Sequence, residues 1–333
     1  MFSEIGELRK TTPHLLADLA ELIVLFKFEN FDELSQSSFE GLVQTGVMSL
    51  DDTNDSYADG DSEGCSSVEI SDRTSRYVDD LWMHLQYRVR AFSDVYPFDL
   101  EDDVLRVKSN LSKKHLIYMF LLICSRLRSF DNATGFRQLM AKNFTKFSAE
   151  VMKCILPDTG EVKIYDWGSE DRTNFFETSN RRGLYKLASF IGAEPNVECI
   201  EQEDDTGDSE IDLVGVVNFS EDSAKGYFTL IGQCASQEKN WPNKTFEAHP
   251  RKLGVLFRSP CDPHNIFFAP IFYRDSRGEW LMARKVAGPV FIDRKRAINQ
   301  LLVSTSDVAI YGSDWFTNFV DQVLPDYSDL LVS

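Results

Sequence analysis

The sequence predicts an α+β protein in which an N-terminal helical domain precedes a core with a mixed central sheet. Apolar residues recur at helical spacing through about the first 130 residues, whereas residues 213–283 contain short β-like runs separated by turn residues. Helical spacing returns after residue 294, and a chain of 333 residues is long enough for two domains. We therefore expect a helical domain at 1–130 and a second domain at 131–333.

Three helices are predicted in the first domain. Each presents a stripe of large apolar side chains, and Ser112 precedes the third helix as an N-cap. The predicted helices cover Pro13–Phe26, a stretch that begins near Thr74 and continues to Phe92, and Ser112–Leu127. Because these helices carry more apolar surface than an appendage needs, we expect them to mediate self-association or docking on a partner protein.

Residues 49–64 form an acidic segment that is rich in Ser and Gly and contains neither Lys nor Arg. This composition is typical of a solvated or disordered loop. The functional alternative is an acidic arm that mimics nucleic acid or holds a basic partner.

The second domain is predicted to begin with a helix at Gly135–Leu156, followed by a short apolar piece at Val162–Tyr165. A helix at Arg182–Ile191, ended by Gly192, comes next. The predicted strands are Leu213–Phe219, Tyr227–Ala235, Gly254–Phe257, Ile266–Tyr273 and Trp280–Ala283, and the last predicted helices are Arg294–Val303 and Asp314–Val323.

The chain is strongly acidic, with 35 Lys and Arg against 53 Asp and Glu and a net charge of −18. This balance opposes broad attachment to nucleic acid or anionic lipid, which depends on Lys and Arg, but it leaves room for a small local nucleic-acid site. The longest strongly apolar run, Leu116–Cys124, is about half as long as a membrane-spanning helix. No signal peptide is visible, so we expect a soluble, cytoplasmic chain without a membrane partner.

Several motif-based functions are excluded. The six cysteines and five histidines are dispersed, and no two cysteines form CxxC, which excludes zinc ribbons, zinc fingers and thioredoxin-like redox motifs. The phosphate-binding motifs GxGxxG and GxxxxGK[ST], the GxSxG nucleophile elbow and the HExxH zinc motif do not occur. The acidic cluster at 203–210 does not have the EF-hand spacing.

A predicted β-hairpin with polar residues at one end is the remaining candidate for chemistry. The turn Gly207–Glu210 leads to Asp212 and the first strand, the second strand ends at Gly232–Ala235, and a lysine-containing loop follows. An Asp at the start of one strand and a polar group near the end of its hairpin partner project onto the same end of a sheet. Convergent oxygen ligands with a Lys beside them are what metal-assisted phosphodiester hydrolysis requires.

The GD-x-x-ID turn, the hairpin and the GQC-A-x(4)-NW-x-x-K segment together resemble the restriction-endonuclease-like, or PD-(D/E)XK, nuclease superfamily. The resemblance is to a bacterial subgroup in which the usual Glu-x-Lys reads Gln-Cys-x and a Lys lies further on. The commoner turn has two glycines where this chain has Ser209 and Glu210. The helix near 144–156 resembles the first core helix of that fold, which often supplies an acid, and 293–296 is similar to a C-terminal D-R-x-R segment. The resemblance covers roughly residues 135–305.

Matched position by position, the resemblance implies a catalytic group around Asp212. Asp212 matches the metal-binding Asp, and Gln233 occupies the position of the second acid. Ala235 replaces the usual Lys, so that role passes to Lys244, with Lys239 as the second candidate.

The resemblance also implies a metal and a nucleic-acid surface. Besides Asp212 and Gln233, the further candidate metal ligands are Asp208 and Glu150, and the implied cofactor is Mg²⁺, with Mn²⁺ as an alternative ion. The implied contacts to DNA are made by Trp241, Arg294 and Arg296.

These residues also have structural interpretations. Asp212 can cap a turn, Gln233 can be a half-buried strand residue, and the two loop lysines can be ordinary solvated side chains. Trp241 can be a packing aromatic. Asp293 can cap the helix that follows it and leave the arginines as exposed neighbours.

The resemblance implies a metal-dependent DNA endonuclease in bacterial restriction or antiphage defence, acting as a homo-oligomer or with a defence partner protein. A different class of function is a catalytically degenerate nuclease fold that serves as a binding or scaffold subunit, as the changes to Gln233 and Ala235 suggest. A third interpretation, an acidic inhibitor that mimics DNA, rests on composition alone.

Overall fold

The computed structural model describes residues 13–44, 67–130, 135–219, 227–236, 244–281, 288–304 and 307–331, and it confirms the α+β class. The acidic segment 49–64 lies outside these described residues. The chain forms two compact units. Unit 1 comprises Met1–Met140, Ile271–Leu281 and Val323–Ser333, and unit 2 comprises Ala141–Pro270 and Met282–Gln322. The return of two late segments to unit 1 has no signal in the sequence.

Unit 1 contains the three predicted helices and, in addition, a small antiparallel sheet with strand order β1-β3-β2. The turn between β2 and β3 places Asp102 and Asp103 at φ +49° and +59°, a hairpin geometry that is usually signalled by Asn-Gly, which explains why it was not predicted. The elements are α1 (Pro13–Leu25), β1 (Glu33–Ser35), α2 (Gln36–Gln44), α3 (Ser67–Phe92), β2 (Phe98–Glu101), β3 (Val104–Val107) and α4 (Lys113–Ser125), with Ser112 as the N-cap of α4.

The apolar helices of unit 1 are used within the unit itself. Every residue of α1 from His14 to Leu25 and every residue of α4 from His115 to Ser125 is buried. Self-association stays a prediction, but surplus apolar surface on these two helices no longer supports it. No helix among the described residues has both the length and the apolar character needed to cross a membrane.

Unit 2 is built around a mixed five-stranded sheet with strand order β10-β9-β7-β6-β4. The first three strands in sequence pair antiparallel, with Ile164 opposite Leu213 and Leu213 opposite Gly232. The pairs β7–β9 and β9–β10 are parallel. The elements are α5 (Phe136–Ile155), β4 (Gly160–Ile164), a π-helical turn (Arg172–Phe176), α6 (Asn180–Phe190), β5 (Glu194–Pro195), α7 (Val197–Ile200), β6 (Leu213–Val217), β7 (Phe228–Cys234), α8 (Pro250–Leu256), β8 (Phe257–Arg258), β9 (His264–Phe268), β10 (Val290–Ile292), α9 (Arg294–Ser304), α10 (Asp307–Tyr311) and α11 (Asp314–Val323).

One predicted strand is wrong. Residues 254–256 end helix α8, and only Phe257 and Arg258 are extended. Pro250 stands in the first turn of α8, and the ring Nδ1 of His249 accepts the Arg251 N–H at 3.1 Å, so a strong helix start overrides the β-like run. The predicted strand at 280–283 is limited to a single bridge between Arg274 and Trp280 in the described part of the chain.

Both faces of the central sheet are covered. Helix α5 lies against Gly215 and Gly232, where a Cβ atom would stand 2.9 Å and 2.7 Å from atoms of the Met152 side chain, so only glycine admits the helix this closely. The opposite face packs on α6 through a buried cluster that contains Leu184, Leu187, Val214, Val216 and Ile231. The predicted polar residues Asp212 and Gln233 lie at the open end of the β6–β7 hairpin, where β6 begins and β7 ends.

Candidate metal centre

Asp212 is the residue immediately before strand β6, and four hydrogen bonds with backbone groups fix its position. Its N–H donates to the Gly232 carbonyl at 3.1 Å, and its own carbonyl accepts the N–H groups of Tyr165 and Asp166 at 2.7 Å and 3.1 Å. Its carboxylate oxygen Oδ2 accepts the backbone N–H of Cys234 at 2.6 Å. Asp212 therefore ties together the ends of β4, β6 and β7.

The turn before Asp212 has an unusual backbone. Ser209 and Glu210 have φ of +51° and +63°, a left-handed conformation that costs an L-residue roughly 1–2 kcal/mol and that glycine adopts readily. The Asp208 carboxylate holds this turn, because Oδ1 accepts the Glu210 N–H at 3.1 Å and Oδ2 accepts the Trp167 N–H at 3.3 Å. These two positions are those at which the commoner form of the motif has glycine.

Asp166 is a third acidic residue at this site, and the sequence did not single it out. It follows β4 in a turn that is closed by the Ser169 N–H to the Asp166 carbonyl at 3.1 Å and by Ser169 Oγ to the Ile164 carbonyl at 2.8 Å. Its N–H bond to Asp212 continues the β4–β6 pairing by one step. Only strand pairing brings this residue beside Asp212, which lies 46 positions further along the chain.

Asp166, Asp208 and Asp212 form a carboxylate cluster in which one oxygen from each lies within 4.8 Å of the other two. All three side chains are half-buried. A hard divalent cation holds its oxygen ligands at about 2.0–2.6 Å, so two ligands of one ion are at most about 5 Å apart. Within the described residues, no Lys or Arg nitrogen lies within 4.0 Å of these three carboxylates. The cluster fits a divalent cation in both donor type and spacing.

The electrostatics of the carboxylate cluster show the repulsion that such a cation would relieve. Burial raises the pKa of Asp212 to about 8; the Cys234 N–H and Lys244 oppose this rise, and the charges of Asp166 and Asp208 add to it. Burial, then Asp208, also raises the pKa of Asp166, against the opposing charge of Lys142. In the absence of a cation, burial and the neighbouring acids therefore favour the protonated form of Asp212.

Gln233 lies one position beyond the pair formed by Leu213 and Gly232, and so opposite Asp212. Its Nε2 donates to Glu247 Oε2 at 3.1 Å, and the same Glu247 oxygen lies 3.4 Å from Lys244 Nζ. Gln233 is only 3% exposed, and its Oε1 has no hydrogen-bond partner among the described residues. The predicted Gln233 and Lys244 are thus joined through Glu247, which the sequence did not single out.

A buried arginine contacts both of the segments that carry the acids of the cluster. Arg172 is 1% exposed, its guanidinium stacks 4.2 Å from the Tyr165 ring, and its Nη2 donates to the Gly207 carbonyl at 3.2 Å. Tyr165 and Gly207 are the chain neighbours of Asp166 and Asp208. Gly183 leaves the space, because a Cβ there would stand 2.5 Å from the guanidinium.

The other predicted metal ligand lies apart from the carboxylate cluster. Glu150 on α5 is not in the group of mutually close acids, and its Oε1 accepts from Lys153 Nζ at 2.8 Å. Lys239 and Trp241 lie outside the described residues.

The predicted DNA-contacting arginines differ in exposure. Arg294 is fully buried and its Nε donates to the Pro270 carbonyl at 2.9 Å, so in this structure it is not accessible to a phosphate. Arg296 is exposed, and its Nη1 donates to the Phe291 carbonyl at 2.7 Å. Asp293 Oδ1 accepts the Arg296 N–H at 3.0 Å, which is the helix-capping alternative that the sequence left open. Arg294 is therefore corrected from a DNA contact to an interior residue.

No protein-family model, no curated protein and no solved structure matches this chain.

Proposed function

We propose that this chain is a metal-dependent DNA endonuclease of the restriction-endonuclease-like type. The observation that carries the proposal is the carboxylate cluster: three acids from two separate segments converge at the end of the β6–β7 hairpin without a cationic partner among the described residues. Two of them, Asp208 and Asp212, are residues for which the resemblance implied a metal role.

The backbone around the cluster supports the same assignment. The superfamily has a mixed central sheet, and unit 2 has one. The two positions that hold glycine in the commoner motif, 209 and 210, have left-handed backbone here. A pair of glycines adopts left-handed backbone readily, so the conformation of this turn fits the motif although the residues differ.

The cluster residues have distinct parts in the proposed chemistry. Asp166, Asp208 and Asp212 would hold the cation, and Asp212 would give up its proton to solvent on binding it. A bound Mg²⁺ or Mn²⁺ supplies Lewis-acid polarisation of the scissile phosphate and a more acidic water. Lys244, whose Nζ lies 3.4 Å from Glu247 Oε2, places a positive charge near Asp212, and this charge would stabilise the negative charge of the phosphate in the transition state.

The setting of the proposed activity follows from the resemblance and the charge. A net charge of −18 disfavours a promiscuous nuclease, so DNA access in a bacterial restriction or antiphage system would be local or aided by a partner protein or a second copy of the chain. The cytoplasm is the compartment for such an activity.

The test is cleavage of supercoiled and linear DNA by the purified chain with Mg²⁺, with Mn²⁺ and with EDTA. We expect cleavage with either metal, none with EDTA, and none by Asp212→Asn, which removes a charge with little change in shape. Asp204→Asn is the matched control, because Asp204 is exposed in the same acidic segment and lies outside the carboxylate cluster. Cleavage by Asp212→Asn at the wild-type rate contradicts the proposal.

The lysine assignment is tested in the same assay. If Lys244 stabilises charge in the transition state, Lys244→Ala should slow cleavage by about 10²-fold or more. The effect should be at least as large as that of Lys239→Ala. A Lys244→Ala variant with normal turnover would transfer the role to another cation.

A catalytically degenerate binding subunit is the second candidate. The observation that favours it is the pairing of Gln233 and Lys244 with Glu247, which engages both residues in protein contacts. This candidate predicts that Mn²⁺ raises the melting temperature of the wild type but that no DNA is cut.

A further inference from the structure

A second charged feature of unit 2 adjoins the carboxylate cluster. A cavity of about 480 Å³ lies between helix α5 and the segment 162–171, and Asp166 belongs both to its wall and to the carboxylate cluster. We call this cavity the α5 groove. The α5 side contributes Lys142, Lys146, Glu150 and Lys153, and Trp315 of α11 also lines it.

Two of the lysines in the α5 groove form no close ion pair, although the charge of Lys142 acts on Asp166. Lys153 forms an ion pair with Glu150 at 2.8 Å. Lys142 and Lys146 are exposed, and in the described part of the chain neither lies within 4.0 Å of a carboxylate. A Cβ on Gly168 would stand 3.4 Å from Lys142 Nζ, so this ammonium group reaches across to the turn that carries Asp166.

Three of the four acids that line the α5 groove are engaged by other protein groups, and Glu170 is the exposed exception. Asp171 accepts the Ile164 N–H at 2.8 Å and lies 3.8 Å from Lys163 Nζ, and Glu150 is paired with Lys153. Asp166 is opposed by the positive charge of Lys142, which counteracts the rise in the Asp166 pKa. Lys142 and Lys146, on one wall of the groove and with no carboxylate within 4.0 Å among the described residues, are therefore the groups that a bound anion would contact.

We propose that the α5 groove binds the backbone of a single nucleic-acid strand, with Lys142 contacting the phosphate next to the carboxylate cluster and Lys146 the neighbouring phosphate. Residues four apart on a helix are about 6 Å apart along its axis, a spacing comparable to that of successive phosphates in an extended strand. The groove has the volume of a small-ligand site, so it accommodates one strand and not a duplex. The indole of Trp315 offers a surface on which a base can stack.

This inference rests on the proposed nuclease function for its substrate, but its test does not depend on cleavage. The binding of a fluorescently labelled single-stranded oligonucleotide is measured by anisotropy in EDTA over a series of salt concentrations. We expect Lys142→Ala/Lys146→Ala to weaken binding about tenfold or more and to reduce the slope of log K against log salt by about 1.4, the value for two lost contacts to a single strand.

Lys114→Ala/Lys186→Ala is the matched control. It removes the same two charges from exposed lysines on α4 and α6, and it should bind like the wild type. Lys142→Gln/Lys146→Gln should repeat the loss with a longer side chain. A duplex of the same sequence should bind more weakly than the single strand.

Several outcomes overturn the inference: no binding of the single strand by the wild type, equal losses in the two double-alanine variants, or tighter binding of the duplex. Failure of the proposed function is recognised separately. Lysine-dependent binding without any cleavage contradicts the nuclease assignment alone, whereas metal-dependent cleavage with unchanged binding in Lys142→Ala/Lys146→Ala contradicts the groove alone.

Discussion

The two units of this protein contain acidic clusters that differ in how their charge is balanced. In unit 1, Asp18 and Glu21 of α1 are fully buried, and Nη1 of the equally buried Arg88 lies 2.7 Å and 2.8 Å from their carboxylates. The hydroxyls of Tyr96 and Tyr118 donate to Glu21 Oε1 at 2.7 Å and 3.0 Å. In unit 2, the carboxylate cluster is half-buried and has no such cation in the described residues.

The difference separates a structural cluster from a candidate ligand site. Although burial opposes its charge, Glu21 and Asp18 raise the pKa of Arg88 well above its usual value, so the buried cluster of unit 1 carries its own counter-ion. In unit 2, burial and the neighbouring acids raise the pKa of Asp212 to about 8, so a bound proton, and not a cationic side chain, reduces the charge of the carboxylate cluster. Removing the charge of Arg88 should therefore destabilise unit 1, whereas removing the charge of Asp212 should not destabilise unit 2.

The largest expected effect comes from removing the counter-ion of unit 1. Arg88→Met leaves two buried carboxylates unpaired and should lower the free energy of unfolding by about 3–5 kcal/mol. Arg90→Met changes an exposed arginine on the same helix and should stay within about 0.5 kcal/mol of the wild type. Urea unfolding followed by circular dichroism measures both. Equal effects of the two substitutions would remove the distinction drawn between the clusters.

A smaller effect of opposite sign is expected for Asp212→Asn. The pKa of Asp212 is raised from 3.8 to about 8 in the folded state. Between about pH 4 and pH 8, Asp212 is therefore protonated in the folded state and ionised in the unfolded state. The contribution of protonated Asp212 to the free energy of unfolding is fully present below about pH 4 and is lost as the pH rises towards 8. The variant should therefore gain stability relative to the wild type between about pH 5 and pH 8 in metal-free buffer.

The cation completes this comparison. Mn²⁺ should raise the melting temperature of the wild type more at about pH 8 than at about pH 6, because binding must displace the proton of Asp212. Asp212→Asn should lose most of this increase, and Asp204→Asn should retain it. A metal-induced shift that survives in Asp212→Asn, or that is larger at the lower pH, would place the cation elsewhere.

The smallest expected effect concerns the backbone of the turn that carries Asp208. Glu210→Gly and Glu210→Ala both remove the exposed ion pair with Lys252, but only glycine relieves the left-handed φ of +63°. Glu210→Gly should be more stable than Glu210→Ala by about 1 kcal/mol in urea unfolding. Equal stability would mean that the turn relaxes without cost when the side chain is changed.

The fold was largely predictable where local signals agree with the tertiary structure. Helices α1 and α5, which were predicted from apolar spacing, begin and end within a few residues of their predicted bounds, and so do strands β6 and β7. The hairpin β2–β3 was missed because its Asp-Asp turn lacks the usual glycine signal. Helix α8 was missed because it begins after the capping His249 and continues into the segment that was predicted as a strand.

Part of the candidate site was equally predictable, because Asp208 and Asp212 lie in one continuous turn and strand. Asp166 and Glu247 were not, since each reaches the site from another segment and no local pattern distinguishes it from the many other acids of this chain. Arg294 shows the reverse error: a basic residue after a helix cap suggests a surface contact, and only packing shows that it is buried.

The sequence by itself determined the main helices α1 and α5, the polar turn with the β6–β7 hairpin, and the strong excess of acidic residues, since these depend on composition and on neighbours in the chain. Tertiary structure decided which acids meet. The pairing of β4 with β6 brings Asp166 to Asp212, whereas Arg88 reaches α1 from α3 and balances Asp18 and Glu21. The balance of charge at a point in space depends on every segment that reaches it, so the sequence shows the acids and only the folded chain shows which of them lack a counter-ion.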